Sequence, residues 1–237
     1  MEAVFVKGTA AMFSLITESL KRSLIRLMTS GDMRKFEAEF PVSAEQQRLL
    51  TFGVVLSTYN LESCRTFRLD SDRDGIVDML ESWWGITSRK DALDTAGQLA
   101  VADMHTPEAD EEYYSITKEH LDDAPEYFRC RRFLLKLGYK ESELSAVKTT
   151  AAWDYGRTCH IARHSAVAGY LEEDEAWEFM RTAAENASKA YENWREYLAG
   201  YIFGRALGYG SDSADMRVVL KYILHNPKSP IKDVPFK

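Results

Sequence analysis

The chain has 237 residues, 45% hydrophobic and 28% charged, with 37 acidic against 30 basic side chains and a formal net charge of −7. That length can bury a full core, the composition excludes wholesale disorder, and the negative sign argues against a nucleic-acid phosphate backbone as partner. Six prolines and thirteen glycines are too few to punctuate a β-sandwich or barrel, whose strands need turn signals about every 8–12 residues.

In residues 3–28, Phe13, Ile16, Leu20, Leu24, Leu27 and Met28 recur at three- and four-residue spacing. This predicts an amphipathic helix, stopped by Gly31. Its apolar run from Ala10 to Phe13 is broken by Ser14 and by Thr17-Glu18, so neither a secretory signal nor a membrane span is expected. Pro41 marks a boundary, and residues 1–40 read as an N-terminal accessory helical segment ahead of a main helical domain over 41–225. Ser43-x-x-Gln46 is a capping-box start for a helix to about Ser57.

A helix from about Asp72 to Trp84 is expected to bury Ile76, Val77, Leu80, Trp83 and Trp84, with Gly85 ending it. Thr87 or Ser88 caps the next, which runs to about Met104. Pro107 suits the first turn of the acidic segment Glu108 to Tyr114. Residues 119–137 are helical in pattern, and Gly138 takes the C-cap position. Further helices are expected at about 145–168, 172–191, 193–208 and 213–225, followed by an extended tail, 226–237, with three prolines. The expected fold is all-α, a single multi-helix globular domain around two central buried helices.

Those two helices hold the densest pattern. Across residues 151–168, Trp153, Ile161 and Ala168 lie on one side and Tyr155, Cys159, Ala162 and Ala166 on the other, so both sides need packing. Arg157 and His164 fall on the Trp153 side, flanked by Asp154 and His160, and polar groups in an interior position need partners. In 193–208, Trp194, Tyr197, Leu198, Tyr201 and Arg205 share a stripe, while Gly200, Gly204 and Gly208 line another. Helical glycines cost about 1 kcal/mol each relative to alanine, so three in register suggest a closely approaching helix, or a ligand resting on bare backbone.

Trp153-Asp154-Tyr155-Gly156-Arg157, Gly169-Tyr170-Leu171 with Glu175-Ala176-Trp177, and Trp194-x-x-Tyr197-x-x-x-Tyr201-x-x-Gly204-Arg205 together resemble a bacterial domain-of-unknown-function family, number 1266 in that series. Trp83-Trp84-Gly85-Ile86 with Ser88 to Leu99 resembles its upstream helix pair, so the likeness covers roughly residues 45–210. The resemblance implies a helical fold and carries no established activity. His160 and His164 depart from the family pattern, which argues against them as family-wide catalytic groups.

Three constellations could carry chemistry. Asp70-x-Asp72-x-Asp74-Gly75-x5-Glu81 satisfies the EF-hand calcium-loop pattern; the rival reading is a helix capped by Asp70 or Ser71 with an acidic first turn. His160-x-x-x-His164 has zinc-site spacing, yet no glutamate follows His160 and no third ligand is evident. Asp154, Arg157 and Arg205, with His164, Tyr197 and Tyr201, are the leading ligand-binding candidates. They form either an anion pocket with forked donors or a buried ion pair that locks core helices. Cys64, Cys130 and Cys159 are odd in number and far apart, which suits a reducing cytosol. The favoured function is a non-catalytic protein-binding module, for which toxin neutralisation or regulation would be typical roles. Alternatives are an enzyme or small-ligand sensor using Asp154, Arg157 and Arg205, and a calcium-binding regulator. No cofactor other than calcium suggests itself, and neither nucleic acid nor membrane is an expected partner.

Overall fold

The computed structural model describes residues 30–116, 124–209 and 216–237. The expected first helix, 3–28, lies outside the described residues. Among those described there are twelve α-helices and no strand. In chain order they are α1 (Gly31–Glu39), α2 (Ala44–Thr51), α3 (Val54–Tyr59), α4 (Arg73–Trp84), α5 (Arg89–Ala100), α6 (Thr106–Ser115), α7 (Pro125–Lys136), α8 (Glu141–Ala146), α9 (Ala152–Ala168), α10 (Glu173–Ala190), α11 (Trp194–Tyr209) and α12 (Met216–His225). A 3₁₀ turn, Pro230–Lys232, follows.

The start signals at Ser43 and Ser88 work as read: Ser43 and Gln46 cap α2 reciprocally, and Ser88 caps α5 through Asp91 N–H. Helix α4 is capped by Asp72, which accepts from Gly75 N–H, rather than by Asp70 or Ser71. Gly85 and Gly138 end their helices with positive φ. Gly31 opens α1 behind the N-cap Ser30; the helix it is expected to stop lies outside the described residues. The expected helix from Ser43 to Ser57 breaks at Phe52-Gly53. A Cβ on Gly53 would lie 2.8 Å from the Cβ of Cys159, so the break brings backbone against α9. The expected helix 145–168 is likewise divided, into α8 and α9.

Every residue of α9 from Ala152 to Ser165 is buried, because α10, α5, α11, α4 and α3 all pack around it. The sequence pattern, apolar on both sides, therefore describes a central helix. The glycine stripe of α11 serves helix contact. A Cβ on Gly204 would stand 2.7 Å from the Thr150 carbonyl oxygen and 2.8 Å from Trp153 Cβ. Reciprocally, Gly156 of α9 admits the Tyr201 ring, which a Cβ there would meet at 2.6 Å.

Helices α4 and α5 both run antiparallel to α9. Arg73, at the start of α4, donates to the Ala168 carbonyl at 2.7 Å, while Trp84, at its end, lies against Arg157. Helix α5 starts beside Glu175, which pairs with Arg89, and ends where Asn186 reaches the Ala100 carbonyl. Their C-terminal ends thus converge on the first half of α9. Trp83, expected on the buried face of α4, is instead 51% exposed; Ile76 and Leu80 carry the burial.

The tail is seated rather than simply extended. Phe236 packs on Phe52, Trp194 and Tyr197, and Trp194 Nε1 donates to the Val234 carbonyl at 2.8 Å.

Candidate functional site around Asp154 and Arg157

Asp154 and Arg157 lie one turn apart on α9, and the guanidinium Nη2 donates to Asp154 Oδ1. Spacing of three residues puts the two side chains on neighbouring positions of the helix surface, so the contact is local in origin. The second carboxylate oxygen is filled from elsewhere. Asp154 Oδ2 accepts from His105 N–H at 3.0 Å, Thr106 N–H at 3.1 Å and Thr106 Oγ1 at 2.9 Å. Asp154 thereby caps α6 from outside it, supplying a negative charge to the helix's unpaired N–H groups.

Burial would raise the Asp154 carboxyl, but the His105 bond, the Arg157 charge and Thr106 outweigh it and hold the group down at about 2. Burial also lowers the Arg157 pKa, with Asp154 opposing. The guanidinium is held on further sides: Nε donates to the Trp153 carbonyl at 3.1 Å, and its carbon lies 3.5 Å from the Trp153 ring centroid and 5.7 Å from that of Trp84. Nη2 also lies 2.8 Å from His105 Nδ1. The same Nδ1 stands 3.3 Å from Asp154 Oδ1, so the ring reaches both members of the pair. His105 is the least covered member, with a side chain 35% exposed.

The other candidate residues are distributed differently. The guanidinium bonded to Asp154 is that of Arg157, while Arg205 sits half-buried on α11. Tyr197 is fully buried and donates to the Phe52 carbonyl at 2.8 Å, securing the break between α2 and α3. Tyr201 fills the notch at Gly156. His164 faces away from Asp154 towards Glu62, with Nε2 2.9 Å from Glu62 Oε1. His160 lies beside it, ring centroids 3.8 Å apart. Asp72, Asp74 and Glu81 do not form a twelve-residue loop, since helix begins at Arg73 and Asp72 is spent on its cap. Asp74 and Glu81 are then about 10 Å apart along the axis, and Asp70 precedes the helix.

Sequence reasoning missed His105, Thr106 and Glu62. Pro107 signalled the start of α6, so the residues just before it were available as a capping region, whereas Glu62 belongs to no pattern. Two non-glycine residues with left-handed backbone flank these arrivals: Leu61 at φ 62° and Ala102 at φ 58°. Each ends a helix in a Schellman-type turn. Glu62 N–H bonds the Ser57 carbonyl, and Asp103 N–H bonds the Gln98 carbonyl. One turn delivers Glu62 and the other leads the chain to His105.

A cleft of about 420 Å³ opens elsewhere, lined by Arg34, Glu37, Cys64, Arg65, Tyr222 and Asp233 among others. Neither Asp154 nor Arg157 lines it. Cys64, Cys130 and Cys159 are buried, and none is in a disulfide. Burial pushes the Cys64 thiol up to about 11 and that of Cys159 to about 12, so neither is an activated nucleophile.

The helices that carry Trp153–Arg157 and Gly204-Arg205 fall within the range that the family comparison covers. The profile of the family described as protein of unknown function (DUF1266) matches residues 79–236, and the chain belongs to that family. It is 29% identical over 138 residues to the uncharacterized protein YbeR of Escherichia coli strain K12, a match covering 53% of this chain and 55% of YbeR. The chain thus spans about half the length of that relative. No solved structure matches it. Among the described residues, no helix is long and apolar enough to cross a membrane.

Proposed function

We propose that this member of the family is a non-catalytic module that binds another protein, on the face where the ends of α4 and α5 meet the first half of α9. The observation that carries the reading is Trp83, a large aromatic 51% exposed beside the Trp84–Arg157 contact. Aromatic and arginine residues over a firm base are the usual anchors of protein interfaces. The base here is firm: Arg157 is engaged by Asp154, the Trp153 carbonyl and His105. A soluble anion would have to displace Asp154 to claim that guanidinium, so the cluster is better suited to holding a surface than to receiving a small ligand. Val101, 56% exposed after α5, adds apolar area at the same end. The charge of −7 favours a partner with a basic rim, and three cysteines outside any disulfide suit a reducing compartment such as the cytoplasm.

Site-specific photocrosslinking in living cells tests this. A benzophenone side chain at position 83 or 101 should give one discrete adduct that position 90, at the other end of α5, does not. Adding Arg157→Met to a still-folded chain should weaken that adduct. Equal labelling at all three positions would overturn the reading.

A further inference from the structure

Glu62, His160 and His164 form a second polar cluster, remote from the Asp154 pair along α9. The ligand-type atoms of the three residues lie within 4.8 Å of one another. Helix α9 supplies the two imidazoles one turn apart, and the left-handed Leu61 turn supplies the carboxylate. That turn costs about 1–2 kcal/mol for a residue with a Cβ, and strained backbone of this kind persists where the surroundings over-determine it.

Hydrogen bonding within the cluster is incomplete in a specific way. His164 Nδ1 lies 2.7 Å from the His160 carbonyl. A carbonyl only accepts, so Nδ1 carries a proton and a neutral His164 turns its Nε2 lone pair to Glu62 Oε1, 2.9 Å away. A lone pair facing a carboxylate at that distance needs a cation between or beside them: a second proton on the ring, or a metal ion. The second proton would satisfy His164 but not its neighbours. His160 Nδ1 and Glu62 Oε2 are both buried without a hydrogen-bond partner, 3.9 Å apart. The His160 side chain is only 7% exposed. Buried polar atoms are rarely left so, and here two of them face each other across the cluster.

We infer that Glu62 Oε2, His160 Nδ1 and His164 Nε2 are three protein ligands of a divalent zinc-like ion. Two nitrogens and one carboxylate oxygen are a borderline donor set that suits zinc, with three protein ligands filling three corners of a tetrahedron. Bonds of about 2.0–2.2 Å put tetrahedral ligand atoms about 3.3 Å apart; His160 Nδ1 and Glu62 Oε2 stand 3.9 Å apart, and the ligand-type atoms of all three residues lie within 4.8 Å. Small side-chain adjustments would therefore suffice. The bond from His164 Nδ1 to a backbone carbonyl is the outer contact that commonly fixes a ligating imidazole's tautomer and aim. Arg163 Nη1 stands 4.0 Å from Glu62 Oε2, held aside by bonds to the Phe67 and Arg68 carbonyls. Its charge opposes a second cation and sets a ceiling on the affinity. The residues following Glu62, from Ser63 to Arg65, line the 420 Å³ cleft, which gives this stretch a route to solvent.

The test uses the full chain, stripped of metal and titrated with zinc(II) and, separately, cobalt(II). One equivalent of each should bind, cobalt should show the intense visible bands of a low-coordinate nitrogen–oxygen site, and zinc should raise the melting temperature. His160→Gln should lose the cobalt bands and weaken zinc at least about 100-fold, a ligand counting for no less than an outer-shell partner. Its stability without metal should stay close to the original, because His160 Nδ1 has no bond to lose. Glu62→Gln provides an independent second variant. An absence of cobalt bands in the unaltered chain would overturn the inference in favour of a Glu62–His164 ion pair. Binding that persists through both substitutions would overturn it too, by placing the metal elsewhere.

Discussion

Asp154 holds Arg157 with one carboxylate oxygen and the first turn of α6 with the other. The aspartate thus joins a central helix to a peripheral one, and the arginine keeps its charge balanced while it does so. Removing one member of such a pair strands the other in the interior, which commonly costs about 3–5 kcal/mol. Arg157→Met and Asp154→Asn should each destabilise the chain on that scale in urea unfolding. The double variant should cost well below the sum, because the stranded charge is gone; additive losses would mean the two residues act separately.

The same carboxylate predicts an acid limb. Its folded pKa is depressed to about 2 against an ordinary value near 4. Its contribution is therefore present above about pH 4 and is lost as pH falls through the folded value, and the difference corresponds to roughly 2 kcal/mol. The stability gap between the unaltered chain and Asp154→Asn should narrow across pH 4 to 2. Comparing the two isolates Asp154 from Glu62 and Glu175, which are lowered into the same range. A gap constant with pH would contradict the assignment.

Gly204→Ala should be harmful although alanine is the better helix former. Its Cβ would sit 2.7 Å from a backbone carbonyl oxygen, and a backbone atom cannot swing away as a side chain can. Overpacking of this kind costs about 1–3 kcal/mol, against about 1 kcal/mol regained from helix propensity. Thermal unfolding should show a net loss; a gain would mean that α9 and α11 can separate freely.

Ala102→Gly should act the other way. Ala102 holds φ at 58°, where glycine avoids a penalty of about 1–2 kcal/mol. Part of that gain is offset by the greater freedom of glycine in the unfolded chain. A net stabilisation of roughly 0.5–1 kcal/mol is expected from denaturant midpoints. Any loss would indicate that the Ala102 methyl packs more strongly than its backbone strains.

Much of this was legible where chemistry is local. The Ser43, Ser88 and Pro107 start signals act over three or four residues, and the two-sided apolar pattern of α9 requires neighbours on every side. The Asp154–Arg157 bond spans one helical turn, so periodicity alone brings the pair together. His105 and Glu62 were not legible, because each arrives through a left-handed turn at a residue that is not glycine, and nothing in composition marks such a turn. Trp83 escaped for another reason: hydrophobic periodicity assigns every large apolar residue to the core, whereas an interaction surface uses the same residue types facing outward.

Phe236, docked on Phe52, Trp194 and Tyr197, has a consequence for biosynthesis. The aromatic cluster cannot close until residues 234–236 have cleared the ribosomal tunnel, so this core stays open through synthesis of everything that precedes them. A nascent chain halted just before Val234 would present Phe52 and Trp194 to solvent, a surface suited to chaperone capture.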